Sequence, residues 1–131
     1  MPARILVVDD HEVVRQGIRT ILLARPDWEI CGEAVNGQEA IKLADELRPD
    51  AIIMDITMPV MSGLAATSAI RAMERDQGRS HTAIISLTAN ALRSDIDASR
   101  DAGCDAHLSK PISKQKLLTI IEGYRTETAV Y

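Results

Sequence analysis

The sequence predicts an α/β domain built on a parallel sheet with helices on both faces. Two observations carry this reading. Short apolar runs alternate with amphipathic helical stretches from one end of the chain to the other, five pairs in all. Three of those runs, residues 5–8, 51–54 and 83–87, are nearly continuously apolar, as central strands covered on both faces must be. The length of 131 residues fits one compact domain that buries roughly two-thirds of its unfolded surface, so a second full domain is not expected.

Taken in order, the first strand is residues 5–8. In the helix after it, Val13, Val14, Ile18, Ile21 and Leu22 recur at helical spacing and form a core stripe. The second strand, Trp28–Ala34, alternates Trp28, Ile30, Gly32 and Ala34 with Glu29, Cys31 and Glu33, which suits an edge position with one wetter face. Ala40, Ile41, Ala44 and Leu47 give the second helix its buried face, and Arg48-Pro49 stops it. The third strand is residues 51–54. Between the third helix and the fourth strand at 83–87, residues 75–81 read as an exposed, Gly-containing loop. Gly103 ends the fourth helix, and residues 106–108 are a short fifth strand. Ser113 can cap the last helix, whose buried face is Leu117, Leu118, Ile121 and Tyr124. Residues 1–124 are therefore one domain, and 125–131 a frayed tail.

Composition removes several function classes. There is no Phe, and Trp28, Tyr124 and Tyr131 are the only aromatics, so base stacking has no platform. A net charge of −4 argues against direct nucleic-acid binding, which depends on clustered Lys and Arg. No apolar run approaches the ~20 residues of a membrane-spanning helix, and Met1 to Arg4 has no signal-peptide pattern. No membrane insertion and a cytoplasmic location are the expectations. Cys31 and Cys104 lie far apart without metal-ligand spacing and read as small reduced hydrophobes.

The residues with chemical potential gather at the carboxyl ends of the predicted strands, where open parallel sheets bind ligands. Asp9 and Asp10 follow the first strand, Asp55 the third, Thr88 the fourth, and Lys110 stands just past the fifth. Adjacent carboxylates after a buried strand need a cation or strong hydrogen bonds to stay ionised. An Asp-Asp pair alone often only caps the next helix, a strand-end Thr can do the same, and a lone Lys is ordinarily solvated. Together they favour a site for a hard, oxygen-seeking ion such as Mg²⁺ or Mn²⁺, with Lys110 and Thr88 able to grip a phosphoryl oxygen. Lys110-Pro111 is a peptide bond that can be cis or trans.

With these residues in place, the chain resembles response-regulator receiver domains of two-component signal transduction from Ile5 to about Tyr124. The resemblance rests on LVVDDH with Asp9, Asp10 and His11, on IIMDITMPVMSG with Asp55, Pro59 and Gly63, on SLTAN with Thr88, and on LSKPI with Lys110 and Pro111. It implies a flavodoxin-like, doubly wound five-stranded sheet in the order 2-1-3-4-5 with five helices. It also implies that Asp55 accepts a phosphoryl group from a phosphohistidine on a sensor kinase or histidine phosphotransfer domain. Asp10, Asp55 and the Thr57 backbone carbonyl would ligate Mg²⁺, with Asp9 acting partly through water, while Thr88 and Lys110 contact the phosphoryl group. The output partner is unspecified, a monomer or weak dimer is expected, and the only reactions catalysed would be the domain's own phosphorylation and dephosphorylation.

The chain departs from the family pattern at His107, where receivers usually carry a switch Tyr or Phe. His107 is read as a smaller switch or surface residue, and protonation near neutral pH is the sharper reading. His11 and His81 are read as solvated. The first half, through Ser68, is similar to receivers of DNA-binding regulators, and SLTANALRSDIDASRDAGCDAHLSKPI to those attached to hybrid kinases. Three alternatives compete: a docking receiver that works without phosphorylation, an Asp-nucleophile phosphatase, and a flavin or nucleotide module. Thr57 stands where the phosphatase signature needs a second Asp, and no Gly-rich phosphate loop follows the first strand.

Overall fold

The structure, a computed structural model, describes residues 3–89 and 92–130, without the side chains of 125–130. Five strands alternate with five helices: β1 (Ala3–Val8), α1 (Glu12–Leu22), β2 (Trp28–Ala34), α2 (Gly37–Leu47), β3 (Ala51–Asp55), α3 (Gly63–Gln77), β4 (Ala83–Thr88), α4 (Arg93–Ala102), β5 (Ala106–Ser109) and α5 (Lys114–Val130). The sheet order is β2-β1-β3-β4-β5, and every adjacent pair is parallel. This is the doubly wound order that the motifs imply, with β2 at one edge.

Strand periodicity explains why one sheet carries two cores. Ile5, Val7, Ile53, Ile85 and Leu87 point to one face and pack with Ile18 and Leu22 of α1 and Leu117, Leu118 and Ile121 of α5. Leu6, Val8, Ile52, Met54 and Ile84 point to the other and meet Ala40 and Ala44 of α2 and Ala66 and Ile70 of α3. On that face the helices contribute mainly small side chains, Ala40, Ala44 and Ala66, all buried. Asn36, Ser62 and Ser113 each accept a hydrogen bond from a first-turn amide, of Glu39, Ala65 and Lys116 respectively, contacts generally worth ~1 kcal/mol apiece.

The observed elements differ from the expected ones mainly at their ends. β3 and β4 include Asp55 and Thr88, because Asp55 still pairs with Leu87 and Thr88 with Ser109. α3 continues into the polar connection until Gly78, whose φ of 63° closes it in the left-handed region. α5 runs on past Tyr124 to Val130, where the sequence reading places a frayed tail; Tyr131 lies outside the described residues. β2 does not alternate cleanly: Trp28 and Ala34 are buried, while Ile30 through Glu33 are all partly exposed. A register shift against Ile5/Leu6 breaks its period. Cys31 and Cys104 are free thiols.

Candidate functional site

The parallel register builds the site. Val8 pairs with Met54, so the residues that follow, Asp9 and Asp55, leave the sheet side by side at its carboxyl end. Asp55 is held there by a tightly wound turn into α3. Ile56 N–H donates to Leu87 O (3.1 Å), and Gly63 N–H returns to Ile56 O (3.2 Å). A Cβ on Gly63 would lie 2.1 Å from the Asp55 carbonyl oxygen, so only glycine permits this approach. The turn also holds Val60 at φ 69°, an uncommon conformation for a β-branched residue.

Lys110 arrives from the other side of the pocket. Its backbone amide donates to Thr88 O (2.8 Å), which ties the segment after β5 to the end of β4. The ammonium Nζ then lies 3.0 Å from Asp9 Oδ2 and 3.5 Å from Asp55 Oδ2. Thr88 itself is buried at the end of β4. The Lys110-Pro111 bond, open in the sequence reading, is cis.

Four residues, Asp9, Asp10, His11 and Asp55, each present one ligand atom, and these atoms all lie within 4.8 Å of one another. The group is under-neutralised: among the described residues, the Lys110 ammonium pairs with Asp9 and Asp55, and no lysine or arginine ion pair reaches Asp10. Asp9 Oδ2 meets that ammonium as an ion pair without hydrogen-bond alignment, and the buried Asp10 Oδ1 accepts no hydrogen bond from the described residues. Buried carboxylate oxygens in this condition fit a divalent, oxygen-seeking cation. Without one, Asp55 is pushed up to about 6, first by burial and then by the negative charge of Asp9. Burial lowers the Lys110 ammonium, but Asp9 and Asp55 outweigh it and raise Lys110 above its usual range, so it stays charged.

Asp9, Asp10, Asp55 and Lys110 thus meet as the sequence suggests. Thr57 sits in the turn after β3, exposed, with its amide donating to Asp55 Oδ1 (3.3 Å). His107 lies on β5, paired with Ser86, and is not one of the residues that present ligand atoms together. His81 and His11 are exposed, as the sequence reading expects, and each also lies against an acid. The His81 Nε2 is 2.7 Å from Asp105 Oδ1. The His11 Nδ1 lies 3.3 Å from Asp9 Oδ1 and 3.2 Å from Asp10 Oδ1. Arg15, unremarked in the sequence as a site residue, donates from Nη1 to the Asp9 carbonyl (2.7 Å). Its place on α1, one turn after the acidic pair, is the only clue the sequence offers.

Residues 5–122 match the family described as the response regulator receiver domain. Polar-differentiation response regulator DivK of Brucella anthropi is 36% identical over 124 residues, covering 95% of this chain and 97% of DivK. The chain spans only 56% or 32% of the length of others among the curated relatives it matches. The receiver domain of sensor histidine kinase PA1611 from Pseudomonas aeruginosa, solved with magnesium in its active-site cleft, is 34% identical with a TM-score of 0.80. That match covers 95% of this chain and 98% of that one. The receiver domain of Ssk1 from Saccharomyces cerevisiae, solved with the histidine phosphotransfer protein Ypd1, is 27% identical with a TM-score of 0.86; 94% of this chain and 88% of that chain are covered. Among the described residues, no helix is long and apolar enough to cross a membrane.

Proposed function

Because this chain belongs to the response-regulator receiver family, we propose that Asp55 is its phosphoacceptor and that a phosphohistidine on a sensor kinase or histidine phosphotransfer domain is the donor. The convergence of Lys110 on Asp9 and Asp55 carries this reading, since it sets a fixed ammonium beside a nucleophile and an acidic, cation-suited pocket.

Asp10, Asp55 and the Thr57 carbonyl would hold Mg²⁺ or Mn²⁺, with Asp9 beside them. When bound, the ion supplies positive charge that keeps the carboxylates ionised and offsets charge on a transferring phosphoryl group. The chain's own residues do the rest. An Asp55 carboxylate oxygen attacks phosphorus, the bond to the donor's imidazole nitrogen breaks, and the imidazole leaves with that electron pair. Lys110 is fixed by Asp9, so it reaches a phosphoryl oxygen with little reorganisation, the condition under which a charged donor contributes most. The Thr88 hydroxyl takes another phosphoryl oxygen.

Thr88 and His107 act as the switch that carries the change toward the face of α4, β5 and α5, where an output partner binds. The domain works in the cytoplasm as a signalling module and catalyses only its own phosphorylation and dephosphorylation. The test is intact mass measurement after incubation with Mg²⁺ and a small phosphodonor. Wild type should gain one phosphate-sized adduct and Asp55→Asn none; an adduct on both, or on neither, overturns the assignment.

A further inference from the structure

The segment carrying the acidic pair is short and lies outside the sheet ladder, so something must fix its direction. Asp9 N–H still bonds to Ala34 O (3.1 Å), which extends the pairing with β2 by one step. Asp9 Oδ1 accepts from the His11 amide (2.9 Å), which closes a local turn. Neither contact determines the rotation of the peptide between Asp9 and Asp10. Arg15 does: from the first turns of α1 its Nη1 donates to the Asp9 carbonyl at 2.7 Å. The peptide is planar, so fixing that carbonyl also fixes the Asp10 amide and restricts where the Asp10 carboxylate can point.

The guanidinium is itself immobilised. Its Nε donates to Glu33 Oε1 on β2 (3.0 Å) and its Nη2 to Glu12, and only 12% of the side chain is exposed. One planar fork therefore joins α1, β2 and the metal-side loop, a task for which a single ammonium has the charge but not the geometry. Arg19 provides an internal comparison. It binds the same two acids, Glu33 Oε1 at 2.6 Å and Glu12 Oε1 at 2.7 Å, and among the described residues it makes no hydrogen bond to Asp9. Both arginines stabilise the α1–β2 seam, and Arg15 alone of the two holds the carbonyl next to the acidic pair.

Resting on the receiver reading above, we infer that Arg15 is a positioning residue for divalent-cation binding, acting on Asp10 through the Asp9 carbonyl. Partners that orient metal ligands from behind generally change affinity 10–100-fold when removed. The experiment titrates metal-free wild type, Arg15→Ala, Arg15→Lys and Arg19→Ala with Mg²⁺ by calorimetry. Thermal midpoints are recorded in chelator, and the Mg²⁺ dependence of phosphorylation is measured with a small phosphodonor.

Arg15→Ala should weaken Mg²⁺ binding about 10-fold and raise the half-saturating Mg²⁺ for phosphorylation in parallel. Its rate at saturating Mg²⁺ should stay within about 2-fold of wild type, because the reacting groups are untouched. Arg15→Lys should fall between the two and serves if the alanine variant does not fold. Arg19→Ala should lower the thermal midpoint yet leave Mg²⁺ affinity unchanged. Equal loss of affinity in the Arg15 and Arg19 variants, no loss in either, or no Mg²⁺ binding by wild type overturns the inference. Mg²⁺ binding by wild type without an adduct on Asp55 defeats the receiver reading instead and leaves the Arg15 comparison decisive.

Discussion

The two ends of the sheet both bury charge, and they balance it differently. At the amino ends of β4 and β5, Arg71 donates to Glu74 Oε1 (2.7 Å), Asp105 Oδ2 (2.9 Å) and Gly103 O (2.9 Å). The acids are then completed by backbone amides, of Thr82 to Glu74 Oε2 and of Ile84 to Asp105 Oδ2, each at 2.8 Å. At the carboxyl ends, Asp9 and Asp55 share Lys110, and Asp10 Oδ1 beside them accepts no hydrogen bond from the described residues. A saturated cluster holds elements together; an unsaturated one retains capacity to bind. Burial of charge alone does not mark a functional site, whereas incomplete neutralisation at a strand's carboxyl end does.

The sharpest way to break this contrast is to remove the cation from each cluster. Arg71→Ala strands Glu74 and Asp105 without their partner, and the loss of one member of a buried ion network generally costs 3–5 kcal/mol. Urea denaturation should register that loss, while the Asp55 adduct still forms on the folded fraction.

Lys110→Ala should do the reverse. Phosphorylation should slow by about two orders of magnitude, ~2.7 kcal/mol in barrier, as for loss of a preorganised charged donor. Stability should change by less than about 1 kcal/mol, since Asp55, already raised to about 6, can relieve the repulsion by taking a proton. A large stability loss in Lys110→Ala, or slow phosphorylation in folded Arg71→Ala, would erase the distinction between the two ends.

Acidity probes the unsaturated end more finely. A carboxyl whose folded value lies above its unfolded value contributes stability that is complete below the unfolded value, 3.8, and is lost as pH rises through about 6. Asp55→Asn carries no such charge. In chelator, its stability relative to wild type should therefore rise between pH 4 and pH 7. The full window corresponds to ~3 kcal/mol, which solvent screening at the pocket mouth reduces to roughly 1–2 kcal/mol. Denaturation midpoints at the two pH values provide the check, and a constant difference would contradict the electrostatic account. Added Mg²⁺ should favour wild type and narrow the gap.

The unsaturated end was the more legible of the two in the sequence. Asp9, Asp10, Asp55, Thr88 and Lys110 announce themselves because strand periodicity fixes where each strand stops, and parallel strands deliver their next residues to one edge. The saturated end gives no such signal. Arg71 and Glu74 look like an exposed helical i,i+3 pair, yet Arg71 is buried because Gly103, at φ 112°, brings the α4–β5 turn against it. Arg15 was hidden for a related reason: its target is a backbone carbonyl, which no side-chain pattern encodes. Element ends were misjudged where sheet pairing continued past the apolar run, as at Asp55 and Thr88.

The smallest effect concerns the rim of the saturated cluster. His81 touches Asp105 Oδ1 at 2.7 Å, whereas Oδ2 of the same carboxylate takes Arg71 and the Ile84 amide. The His81 side chain is 61% exposed, so water competes for the same oxygen and little desolvation is at stake. His81→Gln should cost no more than ~0.5 kcal/mol by urea denaturation at pH 7, the range of exposed pairs. A loss approaching that of Arg71→Ala would mean that Asp105 depends on both oxygens equally and that the network acts as one cooperative unit. The division would then run between cooperative and independent charges, and the state of neutralisation would no longer distinguish the two ends of the sheet.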